Sequence, residues 1–193
     1  MRIPDWLPER VPLLELLRED WRPVPLAVTV VELVFFSVTL FSAATDGTLI
    51  KLMDLVFVPI HEGGHLLFRF FGEWIMVAGG TFLQLFVPFA LAVYFAVRRQ
   101  LPGTAFCGFF LFEQLLPVGI YMADARCQCL AYVTVGDPDA AVHDWWYLFS
   151  SVGLVEHDTQ IGGAVRVIGW IGMAATLGWF GVRALQNRSA AAN

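Results

Sequence analysis

Five stretches of the chain are long and nearly unbroken runs of apolar residues: Pro25 to Ala44, Ile50 to Phe71, Ile75 to Val97, Thr104 to Met122 and Ile161 to Leu185. Each comes close to or exceeds the roughly 20 residues a helix needs to cross a hydrocarbon core. The pattern predicts an all-α fold: a polytopic membrane helix bundle of about five transmembrane helices. Residues 1–23 are patterned differently. There, charges alternate with Trp6, Leu7, Leu13, Leu14, Leu16, Leu17 and Trp21, as expected of an amino-terminal interfacial helix lying on the membrane surface. The longest polar segment, 123–160, is acidic and aromatic, and its WWYLF run at 145–149 suits an interfacial anchor. The chain thus reads as a single membrane-embedded domain over 1–193, with an interfacial segment at 1–23, spans one to four in 24–122, a polar and aromatic segment at 123–160 and span five at 161–186.

The second run departs from the others because ionisable groups interrupt it. Residues 59–73 read PIHEGGHLLFRFFGE. Positions three, four and seven apart share one face of a helix. Asp54, Val58, His61, His65 and Arg69 therefore fall on one side, with Glu62 and Glu73 close by. Leu55, Val56, Phe57, Leu66, Leu67, Phe70 and Phe71 fall on the other. Charged groups in hydrocarbon are costly and face the bundle interior or a wet cavity, so this stripe is predicted to turn inward. His61, Glu62 and His65 have HExxH spacing. Two imidazoles one turn apart can hold one zinc ion while the glutamate between them serves as general base.

Composition supports the membrane reading. The chain is 58% hydrophobic and 15% charged, against about 45–50% and 25% in ordinary soluble domains, which points to a multi-pass integral membrane protein. A net charge of −5 without a basic run offers no footprint for nucleic acid. The partners expected are membrane lipid and, for an enzyme, a transmembrane protein substrate. Cys107, Cys127 and Cys129 lack framework spacing and read as ordinary thiols or small apolar packers.

A multi-span chain with HExxH inside a hydrophobic helix resembles the site-2 protease family of intramembrane zinc metalloproteases. In that family an aspartate from a helix two spans later completes the site, within a motif N-x-x-P-x-x-x-L-D-G. The corresponding stretch is EQLLPVGIYMADA at 113–125, where Gln114 stands for the asparagine, Pro117 follows three later and Asp124 comes ten later. The resemblance covers residues 50 to 125 and implies Zn²⁺ held by His61, His65 and Asp124, with Glu62 as the catalytic base that helps water attack a membrane-embedded peptide bond.

Topology bears on the third ligand separately. Spans two and four run in the same direction, so Asp124 and the segment after it share the membrane face at which span two ends. His143 and His157 lie in that segment and are alternative third ligands. Asp144, Glu156 and Asp158 are further rivals in that segment, and Asp144 reads otherwise as the N-cap of a helix over WWYLFSSV. Gln84 is expected either to bond an extended substrate or to tie helices together, and Glu32, Glu113 and Gln114 to line a cavity or bond between helices. Asp54 is a candidate water-path residue, and Arg126 a partner for the acids. The expected function is a zinc-dependent intramembrane endopeptidase. The alternative is a metal-binding membrane protein without protease activity, such as a sensor or assembly factor.

Overall fold

Helices follow the apolar runs. The computed structural model describes residues 20–45, 47–130 and 142–191, and the interfacial helix expected over 1–23 falls almost wholly outside them. The elements are α1 (Leu26–Ala44), α2 (Thr48–Phe68) with a 3-10 turn at Arg69–Phe71, α3 (Glu73–Val97), α4 (Leu101–Glu113), α5 (Leu115–Ala123) and α6 (Asp144–Ser151). A second 3-10 turn at Val155–His157 then leads into α7 (Asp158–Ala191). Among the described residues there is no strand.

Four rods are long and apolar enough to cross a membrane: Leu26–Ala44, Glu73–Val97, Leu101–Ala123 and Val155–Asn187. The remaining rod, α2, has 21 residues but carries Lys51, Asp54 and Glu62 besides its two histidines. Its composition is thus less apolar than the five-span reading implies. Its two faces separate as the spacing predicts from Asp54 to His65, whereas Arg69 and Glu73, also expected on or beside the inward stripe, are exposed. Leu55, Val56, Leu66, Leu67, Phe70 and Phe71 are exposed, whereas Asp54, His61 and His65 are partly buried. Phe57 differs, being half-buried with its ring 6.2 Å from that of Phe110.

The rod Leu101–Ala123 is broken at Gln114 into α4 and α5. Pro117 has no N–H for the carbonyl four residues back, that of Glu113, and its ring crowds the same carbonyl. The break therefore falls where the proline dictates.

Glycines set how closely the rods approach. Gly72, at φ +94°, makes the turn between α2 and α3. Those two helices then run antiparallel with backbones in contact: a Cβ on Gly64 would collide with the Gly79 carbonyl. The α5/α7 pair is built alike, since a Cβ on Gly119 would sit 2.6 Å from the Gly162 carbonyl oxygen. Contact of this kind is how apolar helices gain dispersion energy when no water drives them together. Around these seams, Phe36, Leu101, Phe109, Met173 and Phe180 form the larger core, with Phe36 stacked on Phe109 at 4.4 Å. A smaller one comprises Val118, Met122, Ala125 and Phe149.

The end of α5 is tied to the start of α7 through Arg126. Its backbone N–H and its Nε donate to Asp158 at 3.0 Å each, and the guanidinium also pairs with Glu156 at 3.1 Å. Just past α5, Cys127 and Cys129 lie outside any helix and are joined as a disulfide, while Cys107 is free and buried. A pair two residues apart diverges on a helix, but not in the turn found here.

Candidate metal centre

α2 carries the two histidines, and α3 fixes how each imidazole points. His65 Nδ1 lies 2.9 Å from the backbone carbonyl of Met76 in the first turn of α3. A carbonyl only accepts, so Nδ1 carries the hydrogen and, in the neutral ring, Nε2 keeps its lone pair. His61 Nδ1 is 2.9 Å from Oε1 of Gln84, two turns further along α3. Of the two roles expected for Gln84, tying helices together is the one its contacts fill. The rings stand edge to face with centroids 4.8 Å apart, as one turn of helix requires.

Both Nε2 atoms converge on one oxygen. Asp144 Oδ2 lies 2.9 Å from His61 Nε2 and 3.3 Å from His65 Nε2. The three ligand atoms lie within 4.8 Å of one another, and all three side chains are largely shielded from solvent. Around a tetrahedral zinc at about 2.0–2.1 Å, ligand atoms stand roughly 3.3 Å apart. Two imidazole lone pairs and a carboxylate oxygen at this range repel one another unless a cation or added protons lie between them. Burial by itself raises the Asp144 carboxyl; when the imidazoles are protonated, their hydrogen bonds and charge outweigh it and hold the group below the usual carboxylate range.

Room for an ion is supplied by Gly80. A Cβ there would sit 2.6 Å from His61 Nε2 and 2.6 Å from His65 Nε2. The hollow that a side chain would fill is thus the place where the two ligand nitrogens point. The residues present therefore fit a zinc ion, with Glu62 half-buried on the adjoining position of α2 and acting electrostatically on His65.

The other residues named as third ligands in the sequence lie elsewhere. Asp124, at the end of α5, accepts the backbone N–H groups of Cys129 at 2.9 Å and Leu130 at 3.2 Å, which occupies its carboxylate as the cap of that turn. Asp124 also groups with Cys127 and Cys129, apart from the histidine pair. His143 is the N-cap of α6, its Nδ1 accepting from the Trp146 N–H at 3.2 Å. Its Nε2 faces Asp124 Oδ2 at 3.5 Å, and its ring stacks on Tyr121 at 4.3 Å. Burial holds this imidazole below its ordinary value, against the opposing pull of Asp124 and Asp144. His157 is exposed and bonds Gln160 at 3.1 Å.

Asp144 was expected to be the cap and is instead the first residue inside α6. The shift of one position matters. With His143 capping, the Asp144 side chain is released to turn inward, while its backbone N–H donates to Tyr121 Oη at 3.1 Å. No protein-family model, curated protein or solved structure is similar enough to this chain to place it in a family.

Proposed function

We propose that this chain is a multi-pass integral membrane protein acting as a zinc-dependent intramembrane endopeptidase, with the metal on His61, His65 and Asp144 and with Glu62 as general base. One observation carries the reading. Two Nε2 atoms, each freed for binding by an acceptor at its Nδ1, meet a carboxylate oxygen beside a glycine whose missing side chain leaves the space. Support for the membrane comes from the apolar outer faces, on which Val31, Phe41, Leu55, Phe70, Ile171 and Leu185 are exposed. Soluble chains rarely present so much contiguous apolar surface.

A zinc ion in this site would polarise a peptide carbonyl and acidify water. The protein's own part is to orient and to move protons. Met76 and Gln84 hold the imidazoles in one tautomer, and Asp144 supplies the negative charge. Glu62 accepts the proton of the attacking water at its carboxylate and returns it to the departing amide nitrogen. The substrate peptide must leave its helix locally, because a helical carbonyl is already engaged with the N–H four residues on.

Glu62→Gln keeps size and polarity but removes the base. Zinc content is expected to stay at about one per chain, three protein ligands being typical of catalytic zinc, while cleavage of a reporter transmembrane segment is lost. Undiminished cleavage by this variant would remove the mechanism. Metal binding with no turnover by the wild type would favour the sensor or assembly-factor alternative.

A further inference from the structure

Glu113 is completely buried, and one of its oxygens, Oε1, makes no hydrogen bond. The endopeptidase mechanism does not use it. Its other oxygen, Oε2, accepts from Gln114 Nε2 at 2.7 Å. Gln114 Oε1 in turn accepts from Gln84 Nε2 at 2.7 Å, and Gln84 Oε1 faces His61 Nδ1 at 2.9 Å. On a regular helix, neighbouring residues such as Glu113 and Gln114 point about 100° apart. Both are fully buried here, Glu113 as the last residue of α4 and Gln114 at the break that follows it.

The row has a direction: every donor points away from His61 toward Glu113. A primary amide has one accepting end and one donating end. Two amides joined end to end therefore have two consistent polarities. With Gln84, Glu113 and Gln114 shut off from water, flipping one amide alone would set donor against donor and acceptor against acceptor. The row reverses as a unit or stays as it is. Its terminal group decides which: a carboxyl ionised at alkaline pH can only accept, whereas a neutral one can also donate.

We infer that Glu113 is a positioning residue which, through Gln114 and Gln84, sets the tautomer of His61 and keeps Nε2 bare for a cation. The reversed row would have Gln84 donating to Nδ1, and a neutral imidazole would then carry its hydrogen on Nε2, in the ligand position. His65 does not depend on the row, because the Met76 carbonyl holds its Nδ1 hydrogen. It is a built-in control. The inference rests on the metal reading of the site, but its test does not.

The test uses the full chain in detergent micelles, labelled with ¹⁵N-histidine and free of metal, at alkaline pH. An Asp144→Ala background removes the other group that competes for the His61 proton. Two-bond ¹H–¹⁵N correlations then report the tautomers of His61 and His65 directly. With Glu113 intact, both rings are expected as the Nδ1–H form. Glu113→Leu is expected to bring in the Nε2–H form at His61 alone, and Gln114→Met, which cuts the row in its middle, to do the same. Glu113→Gln, whose amide can donate as well as accept, no longer fixes the direction and is expected to give a mixture of the two forms at His61. With Asp144 present, Glu113→Leu should weaken Co²⁺ binding about 10–100-fold, the usual effect of losing a partner behind a metal-bound histidine. A His61 ring that stays wholly Nδ1–H in both Glu113→Leu and Gln114→Met overturns the inference. A wild type that fails to bind Co²⁺ yet shows the tautomer response refutes the metal reading and leaves the row standing.

Discussion

The seam between α2 and α3 and the seam between α5 and α7 are built by the same device. In each, a glycine on one helix meets the backbone of the other so closely that a single added carbon would collide: Gly64 with Gly79, and Gly119 with Gly162. What they enclose differs. Along the α5/α7 seam Leu116 meets Gly169, Ala123 meets Gly162 and the aliphatic stem of Arg166 lies against Gly119, while Phe112 of α4 meets Gly172. Along the α2/α3 seam, one residue past the contact, the missing side chain of Gly80 opens onto two imidazole nitrogens. Close packing thus serves adhesion in one place and brings ligand nitrogens against a bare backbone in the other. A row of small residues does not distinguish these uses. The two histidines that share the α2/α3 seam do.

The largest contrast is expected between the two aspartates at the ends of these seams. Asp144→Ala removes one of three converging ligand atoms and should take zinc content from about one per chain to well below half. Asp124→Ala removes an acceptor for the Cys129 and Leu130 N–H groups. It should leave zinc content unchanged while costing about 0.5–1.5 kcal/mol of stability, the net worth of a hydrogen bond, because Cys129 and Leu130 are exposed and water can take the carboxylate's place. Elemental analysis of both purified variants decides it. Loss of zinc in Asp124→Ala with retention in Asp144→Ala would reverse the assignment and restore the ligand that the family resemblance implies.

Next come the glycines themselves. Gly80→Ala places a methyl group 2.6 Å from each Nε2 and should weaken Co²⁺ or Zn²⁺ binding by at least about 10–100-fold, as disturbing the orientation of metal-bound histidines does. Gly162→Ala drives a methyl group into the Gly119 carbonyl and the Ala123 N–H. It should cost about 1–3 kcal/mol through overpacking without changing metal affinity. Thermal melting read beside a metal titration separates the two. Equal effects on metal binding would mean that the seams do not differ as described.

How far the sequence reveals this arrangement depends on the range of each interaction. Apolar runs are local, so the rods Leu26–Ala44, Glu73–Val97, Leu101–Ala123 and Val155–Asn187 follow the spans read from the pattern. The His61 and His65 pair is also legible, because one turn of α2 alone places both rings on one face. Asp144 is legible only as one of several rival groups in the segment 123–160. It lies 83 positions from His61 in the chain and enters the site because α6 begins one residue earlier than its best capping side chain suggests. His143 accepts the Trp146 N–H in place of Asp144, and no local rule ranks a histidine above an aspartate as a cap. The signal that could have found it is an acid immediately after a cap-capable residue, in the segment facing the end of α2. Gln84, Glu113 and Gln114 stood out as polar groups in apolar helices, but their connection needs three helices brought together.

The smallest effect expected is at His143, and it tests whether that residue is a ligand or a cap. His143→Ala loses the acceptor for the Trp146 N–H, at a cost of about 1 kcal/mol for a missing N-cap. Because α6 carries Asp144 in its first turn, fraying there loosens one of the three ligands, so metal affinity should fall modestly while one zinc is still held at saturation. His143→Asn supplies a better capping oxygen but no imidazole. It should recover the part of the stability that His143→Ala loses through the cap, though not the stacking on Tyr121, and bind metal nearly as tightly as the wild type. A ligand role predicts the opposite ordering, with both substitutions equally harmful and asparagine unable to rescue. Zinc titrations of the two variants, run beside their melting curves, therefore distinguish a group that touches the metal from one that only holds Asp144 in place.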